Sequence, residues 1–563
     1  MKRWSWAPQD NGISPLFQSA VDDLLARFFS RDPQRYPFLG DPMLRELLAF
    51  RTEHPGPGPR VDAYPQGAAL LHELTSSHAF PQRSSDPGSG SLQLSRFAAA
   101  LSKSWETPAA VENVAGVSSD PAILGCLLGT IANANLVHRD YSEMADDLEA
   151  SMVRKLALLA GYDPSRATGI FTSGGTLCNL YGYLLGIRKS LPEAKHHGMG
   201  YTHDYRIINS LGGHYTHITN LSLLGVNIRE KVIRIRIGDA NAIDLADLEH
   251  QLEACFRLKC AVPSIMLTMG TTDTFGVDRV KPVFEIRNRL CERYEIRTPP
   301  HIHVDAAVGW AMLFFKDYDF DRNPLDINPT TLAGLRWNTE RFRELRYADS
   351  FSVDFHKWGF VPYTSSVVMI KERDDLRFME ADPENFTYFE DESQGHTHLQ
   401  STIECSRSAI GLFGAHAALE QMGIEGFQIA MAHGLQNANY FRQRLAALPH
   451  VHVVARENQG PSVGFRIYDP ARVSDAEQEF ALEHAFTPEP EALERARRND
   501  WFHRELFLRR GKVGLSTNWV KSVTHTAYDD RGRFRALPGE KAVFMNMRTT
   551  RAAIDGFVEH LMG

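Results

Sequence analysis

The sequence predicts an α/β protein with a mostly parallel sheet, followed by a smaller α+β unit. Three observations carry this. Short β-like runs at residues 169–172, 232–237, 264–268 and 302–304 alternate with helical patterns such as Leu245 to Leu258. The alternation stops near residue 430, where helix and strand patterns mix differently. At 563 residues the chain is too long for one hydrophobic core.

The elements follow in order. Residues 1–114 form an N-terminal segment with helical patterns over Leu16 to Phe29 and Met43 to Phe50. Pro55-Gly56-Pro57-Gly58-Pro59 reads as a linker, and Ser84 to Ser91 as a mobile surface loop. This segment is expected to pack against a partner subunit. Residues 115–430 form the large domain. In it, Ala145 to Ala160 is an amphipathic helix whose first turn carries Asp146, Asp147 and Glu149, favourable charges for a helix N-terminus. Residues 431–563 form the C-terminal small domain, with helices over Leu435 to Leu448 and Glu491 to Phe507 and strands at 451–454 and 463–467. No internal repeat is visible.

Composition narrows the function classes. Apolar residues make up 43% and charged residues 23%, as in ordinary globular proteins. A net charge of -8 supplies no basic field for nucleic acid or an anionic membrane. The six cysteines show no CxxC pairing, so neither a metal site nor a disulfide framework is expected, and a reducing cytoplasm is the simplest compartment. The N-terminus lacks a signal-peptide core, and the longest apolar run, Ala122 to Val137, is broken by Asn133 and Asn135, so no membrane span is expected.

Five short motifs carry chemistry. Thr172-Ser173-Gly174-Gly175-Thr176 joins a strand to a helix striped by Leu177, Leu180, Tyr181, Leu184 and Leu185. Free helix N–H groups and the Thr176 hydroxyl suit a phosphate there, although a plain βα turn needs small residues too. Gly213-His214-Tyr215-Thr216 offers an imidazole able to stack on a flat ring, or a structural histidine. Gly270-Thr271-Thr272 offers a hydroxyl after another strand. His301-Ile302-His303-Val304-Asp305-Ala306-Ala307 is a strand ending in a carboxylate, which can pair with a protonated ring nitrogen or cap a helix. Ala307 leaves room for a flat ring. Finally, Ala348 to Trp358 is a strand running out to Lys357, flanked by His356 and Trp358. Desolvation there is expected to lower the lysine's pKa and free its amine for a Schiff base. The order of parts is phosphate turn, histidine, threonine, aspartate, lysine, which is the order a pyridoxal 5'-phosphate (PLP) site needs.

With those residues the sequence resembles the group II PLP-dependent amino acid decarboxylases, among them the glutamate, aromatic amino acid and diaminobutyrate decarboxylases. The resemblance covers roughly 115 to 430 and is most specific at Phe171 to Thr176, His303 to Ala307 and Ala348 to Trp358. It implies the PLP-dependent transferase fold type I, which is aspartate-aminotransferase-like. It also implies a homodimer with sites at the subunit interface, and decarboxylation of an L-amino acid to its amine and CO2. By the same resemblance Lys357 forms the Schiff base and Asp305 pairs with the pyridine nitrogen. His214 and Ala307 flank the ring, Gly175, Thr176 and His356 hold the phosphate, and Thr272 lies near the cofactor. Ser406-Arg407 looks like the family's Ser-Arg element.

One departure stands out. Many family members protonate the carbanion with a tyrosine on a mobile loop, but Phe389 to Leu399 contains none. His396 or His398 can serve as the acid, or both can be solvated loop histidines. Loss of the tyrosine also admits decarboxylation coupled to aldehyde formation. His356 to Pro362, Ser365 to Val368 and Thr402 to Arg407 are similar to sphingosine-phosphate lyase, a Cα–Cβ lyase. A non-enzymatic scaffold of the same fold is a further alternative, opposed by the intact Lys357 and Asp305.

Overall fold

The computed structural model describes residues 12–42, 105–201, 204–380, 398–485, 489–511, 514–525 and 535–562, with short pieces between 44 and 103. The Pro55–Pro59 and Ser84–Ser91 stretches and His396 lie outside the described residues, as does most of Met43 to Phe50.

Seven strands form the main sheet: β1 (Thr168–Thr172), β2 (Ile207–Ser210), β3 (Val232–Ile235), β4 (Ser264–Thr268), β5 (His301–Asp305), β6 (Ser350–Asp354) and β7 (Ser366–Ile370). Their spatial order is β1-β7-β6-β5-β4-β2-β3. β7 is antiparallel to both neighbours, and the other pairs are parallel. Every residue of β1, β2 and β4 to β7 is buried. Helices cover both faces of such a sheet, so β1, β4 and β7 read as short, mostly apolar runs, whereas β5 and β6 alternate polar and apolar residues. β2 and β7 escaped the sequence reading because such a run of four or five residues has no period of its own.

The ends of β1, β4, β5 and β6 open toward one edge, where ligands bind in sheets of this kind. The helix Gly175–Ser190 leaves the end of β1 and lies across β5, β6 and β7. A second sheet holds β8 (Val451–Val454), β9 (Ser462–Ile467), β10 (Asn518–His525) and β11 (Ala536–Val543) in the order β10-β11-β9-β8, antiparallel throughout. Its core gathers Phe441, Phe465, Phe544 and Phe557.

The helix Ile410–Ala446 joins the two cores. It breaks at Gly423, whose φ of 63° is a backbone state that glycine adopts without penalty. Beyond the break, Phe427 enters the main core and Phe441 the second. Near the N-terminus, the Ser14 hydroxyl caps the helix Pro15–Phe28 by accepting the Phe17 N–H at 3.1 Å. Its Phe17, Val21, Leu24 and Phe28 recur at i, i+4, i+7 and i+11 and are buried in the main core of the same chain, against the long helix. Among the described residues, no helix is long and apolar enough to cross a membrane.

Candidate active site

The site begins with alternation along two neighbouring strands. On β5 the polar residues His301, His303 and Asp305 share one face, and on β6 Ser350, Ser352 and Asp354 do so. The register sets His303 opposite Ser350. The helix Gly175–Ser190 lies over this polar face and turns Gly175, Asn179, Gly182 and Gly186 toward it, at i, i+4, i+7 and i+11. The glycines are needed for space. A Cβ on Gly182 would sit 2.3 Å from the His303 ring, one on Gly186 2.6 Å from the Pro263 carbonyl oxygen, and one on Gly175 2.7 Å from the Asp354 carboxylate.

Asp305 ends β5 and accepts four hydrogen bonds. Oδ1 accepts from Ser352 Oγ at 3.1 Å and the Ala307 N–H at 3.2 Å. Oδ2 accepts from Asn179 Nδ2 at 2.9 Å and His217 Nε2 at 3.0 Å. Burial alone would raise its pKa, but the His217 bond and the charges of His217, Lys357 and His214 outweigh burial and hold the carboxyl well below the usual carboxylate range. Asp305 is therefore ionised at working pH.

Lys357 follows β6 with its Nζ 2.9 Å from Asp354 Oδ2. Here the structure corrects the sequence-based expectation. Desolvation does push the ammonium's pKa down, yet Asp354 and Asp305 together reverse it and leave it raised. Asp354 also accepts from Ser366 Oγ at 2.6 Å. His356 donates from Nδ1 to the Ser365 carbonyl at 3.0 Å, and its ring lies 4.4 Å from that of Tyr363. Burial lowers its pKa.

His214 sits in the loop after β2, with Nδ1 2.8 Å from Thr216 Oγ1 and its ring 4.5 Å from that of Tyr215. Burial lowers its pKa against the pull of Asp305. Gly175, Thr176, His214, Thr272, Asp305, Ala307, His356 and Lys357 all line one cavity of about 1090 Å³. The second sheet closes another side of it with Val520 to His525 and Lys541. Lys541 pairs with Asp273 at 2.9 Å.

His398 does not join this cavity. It lines a separate one of about 550 Å³, together with Glu149, Thr168, Gly169, Arg373 and Arg377, near the start of β1. Arg407 lies behind the end of β1, bound to Glu149. Among the described residues, no group of three His, Cys, Asp or Glu is placed to hold a metal ion.

The sequence reading passed over Asn179, His217, Ser352 and Asp354. A signal for three of them was present: Ser352 and Asp354 continue the alternation of β6, and Asn179 is i+4 from Gly175. His217 has none, because its partner is 88 residues away.

The residues fit a pyridoxal phosphate. An uncapped helix N-terminus of which Gly175 is the first residue suits a phosphate. A fixed, ionised Asp305 suits a ring nitrogen, and Lys357 is an amine inside the same cavity. Fold and donor set together define a fold type I PLP-dependent enzyme. The chain belongs to the family of the pyridoxal-dependent decarboxylase conserved domain, which matches residues 94–468, and its cofactor is pyridoxal 5'-phosphate.

Two relatives are L-2,4-diaminobutyrate decarboxylases. That of Acinetobacter baumannii is 23% identical over 348 residues, 60% of this chain and 62% of the relative. That of Rhizobium meliloti (strain 1021) is 26% identical over 269 residues, 48% of this chain and 47% of the relative. The chain thus spans less than two thirds of these relatives. Among solved structures, mouse CSAD superposes with a TM-score of 0.69 at 16% identity, covering 93% of this chain and 98% of that one. Oryza sativa TDC with PLP and tryptamine gives 0.66 at 18%, covering 98% and 100%. At these identities the structural likenesses show the fold.

Proposed function

We propose that this protein decarboxylates an L-amino acid to the corresponding amine and CO2. The observation that carries the reading is the convergence of Lys357, the four-donor Asp305 and the helix N-terminus at Gly175 in one cavity, in a chain of the pyridoxal-dependent decarboxylase family. When bound, PLP supplies a conjugated ring that takes up the electron pair left at Cα once CO2 departs. The chain's residues do the rest. Gly175, Thr176 and His356 would hold the phosphate. Asp305 would keep the ring nitrogen protonated. His214, Ala307 and Thr272 would line the place of the ring. Lys357 Nζ would be the amine that holds the cofactor until the substrate amine takes its place, and Asp354 Oδ2, 2.9 Å away, stabilises the ammonium form that must first give up its proton. Relatives that are diaminobutyrate decarboxylases support the reaction class.

The same reading carries a homodimer in the cytoplasm. His398 lines another cavity, which supports assigning the acid within one chain to His396 rather than to His398.

One observation favours a second reading. Arg234 and Lys521 line the same cavity as Lys357, and Lys541 does so while paired with Asp273, so a substrate with an anionic group finds positive partners there. Acidic amino acids fit this, and so does a phosphorylated amine cleaved at Cα–Cβ in the manner of sphingosine-phosphate lyase.

Product analysis by mass spectrometry decides between them. Protein loaded with PLP is given acidic, aromatic and diamino acids and a phosphorylated amino alcohol, with Lys357→Ala as control. An amine and CO2 from one amino acid, absent in the control, supports decarboxylation. Aldehyde with ammonia, or aldehyde from the phosphorylated compound, overturns it.

A further inference from the structure

Asp305 is the end of a longer chain of buried groups. Asn179 donates its Nδ2 to Asp305, so its Oδ1 must accept. The partner of that oxygen is His303 Nε2 at 3.0 Å, which therefore carries the hydrogen. His303 Nδ1 is then a bare lone pair and accepts from Ser350 Oγ at 2.7 Å. With its own proton given away, Ser350 Oγ accepts from His301 Nε2 at 2.7 Å. Every hydrogen in the series His301, Ser350, His303, Asn179 points toward Asp305.

The directions are mutually consistent. Burial pushes the pKa of His303 down to about 3 and that of His301 down to about 4, so both rings are neutral. A protonated His303 would have no acceptor for Ser350. His301 Nδ1, at the far end, is buried without a partner among the described residues, and a lone pair is the cheaper orphan there than an N–H. Gly182 is what lets the His303 ring lie under the helix. Bonds aligned head to tail polarise one another in a low-dielectric interior. On the other flank His217, buried and also 3.4 Å from Asn179 Nδ2, adds its own bond to the same carboxylate oxygen.

We propose that His217 and the series His301–Ser350–His303–Asn179 are positioning residues that hold the Asp305 carboxylate ionised and fixed, and so set how strongly the site prefers a protonated ring nitrogen. The inference rests on the PLP site described above, and on neither the substrate nor the bond cleaved. Ser350 touches Asp305 only through two intermediaries, and the network would act through Asp305 alone.

The test compares two cofactors in the apoenzyme: PLP, and its 1-deaza analogue in which the ring nitrogen is a C–H. Dissociation constants are read from the visible absorbance on reconstitution, with thermal unfolding as a control. The wild type is expected to prefer PLP. His217→Leu is expected to cut that preference roughly tenfold, the loss of about one hydrogen bond to a charged group. Ser350→Ala is expected to cut it roughly threefold, and His217→Gln to restore most of what His217→Leu loses. A structural role alone would weaken both cofactors equally, so an unchanged ratio in His217→Leu and Ser350→Ala overturns the proposal. If His217→Leu does not fold, the Ser350→Ala ratio decides. A wild type without preference for PLP also overturns it. A wild type that prefers PLP but decarboxylates nothing removes the proposed reaction and leaves this inference standing.

Discussion

Lys357 Nζ and Asp354 Oδ2 lie 2.9 Å apart across one turn of the loop that follows β6. Only an uncharged amine forms a Schiff base, and the carboxylate holds the charged form. Asp354→Asn removes the larger of the two carboxylate contributions that raise the lysine's pKa and leaves burial opposed by Asp305. The pH profile of cofactor capture by the apoprotein is therefore expected to move to lower pH. At neutral pH, capture should quicken by roughly tenfold for each unit moved. Stopped-flow absorbance measures it, and a profile moved upward or unmoved contradicts the assignment. The linked stability has a definite sign. Raised in the folded apoprotein, Lys357 stabilises it below its unfolded pKa of about 10.4, and that contribution disappears as pH climbs through the folded value. The unfolding difference between wild type and Asp354→Asn should fade in that alkaline range.

Arg407 and Glu149 are both buried and joined twice, Nη1 to Oε1 at 2.6 Å and Nη2 to Oε2 at 3.1 Å. Between them they take up the backbone of Phe171: its N–H donates to Glu149 at 2.8 Å and its carbonyl accepts from Arg407 at 3.1 Å. Among the described strands β1 stands at the edge of the sheet, so Glu149 and Arg407 take the place of a ladder partner on that side. Arg407→Ala leaves a buried carboxylate alone and is expected to cost about 3–5 kcal/mol in urea unfolding. Burial raises the pKa of Glu149, and Arg407 more than offsets it, so the net shift is downward. Its stabilisation is present above an unfolded value of about 4.3 and is lost as pH falls through the folded one, so the deficit of Glu149→Gln should shrink only in acid.

Much of this was legible in the sequence, and what was not has identifiable causes. Gly175, His214, Asp305 and Lys357 each stand at a strand end or its following loop, and a parallel sheet gathers such ends without further information. The alternation His301, His303, Asp305 and Ser350, Ser352, Asp354 was equally visible, but its meaning depends on β5 and β6 being neighbours, which strand order alone decides. The Lys357 pKa was misjudged because Trp358 and the apolar run Gly359 to Pro362 follow it, while the deciding charge, Asp354, is three residues back. His217 pairs with Asp305 through topology alone.

Gly182 tests the packing between helix and polar strands. A Cβ there meets His303 Cγ and Nδ1 at 2.3 Å, and the ring is locked on both sides by Asn179 and Ser350. Gly182→Ala is expected to lower stability by about 1–3 kcal/mol and to weaken PLP binding by displacing Asn179. Gly174→Ala is the control, since nothing lies within 4 Å of its added carbon. Equal unfolding midpoints for the two variants would show that the helix shifts freely.

The histidines of the 389–399 stretch give the last prediction. The electrostatic field of His398 acts on Glu149, and its cavity is walled by the start of β1 and by Arg373 and Arg377. Lys357 belongs to the other cavity, beyond the opposite end of β1. Removing a general acid costs roughly 10²–10⁴-fold in turnover. His398→Ala is expected to lose far less than that, and to show its effect in acid stability through Glu149. If kcat instead falls a hundredfold while unfolding is unchanged, His398 reaches a reacting carbon, and within the proposed homodimer that carbon would belong to the other subunit's site.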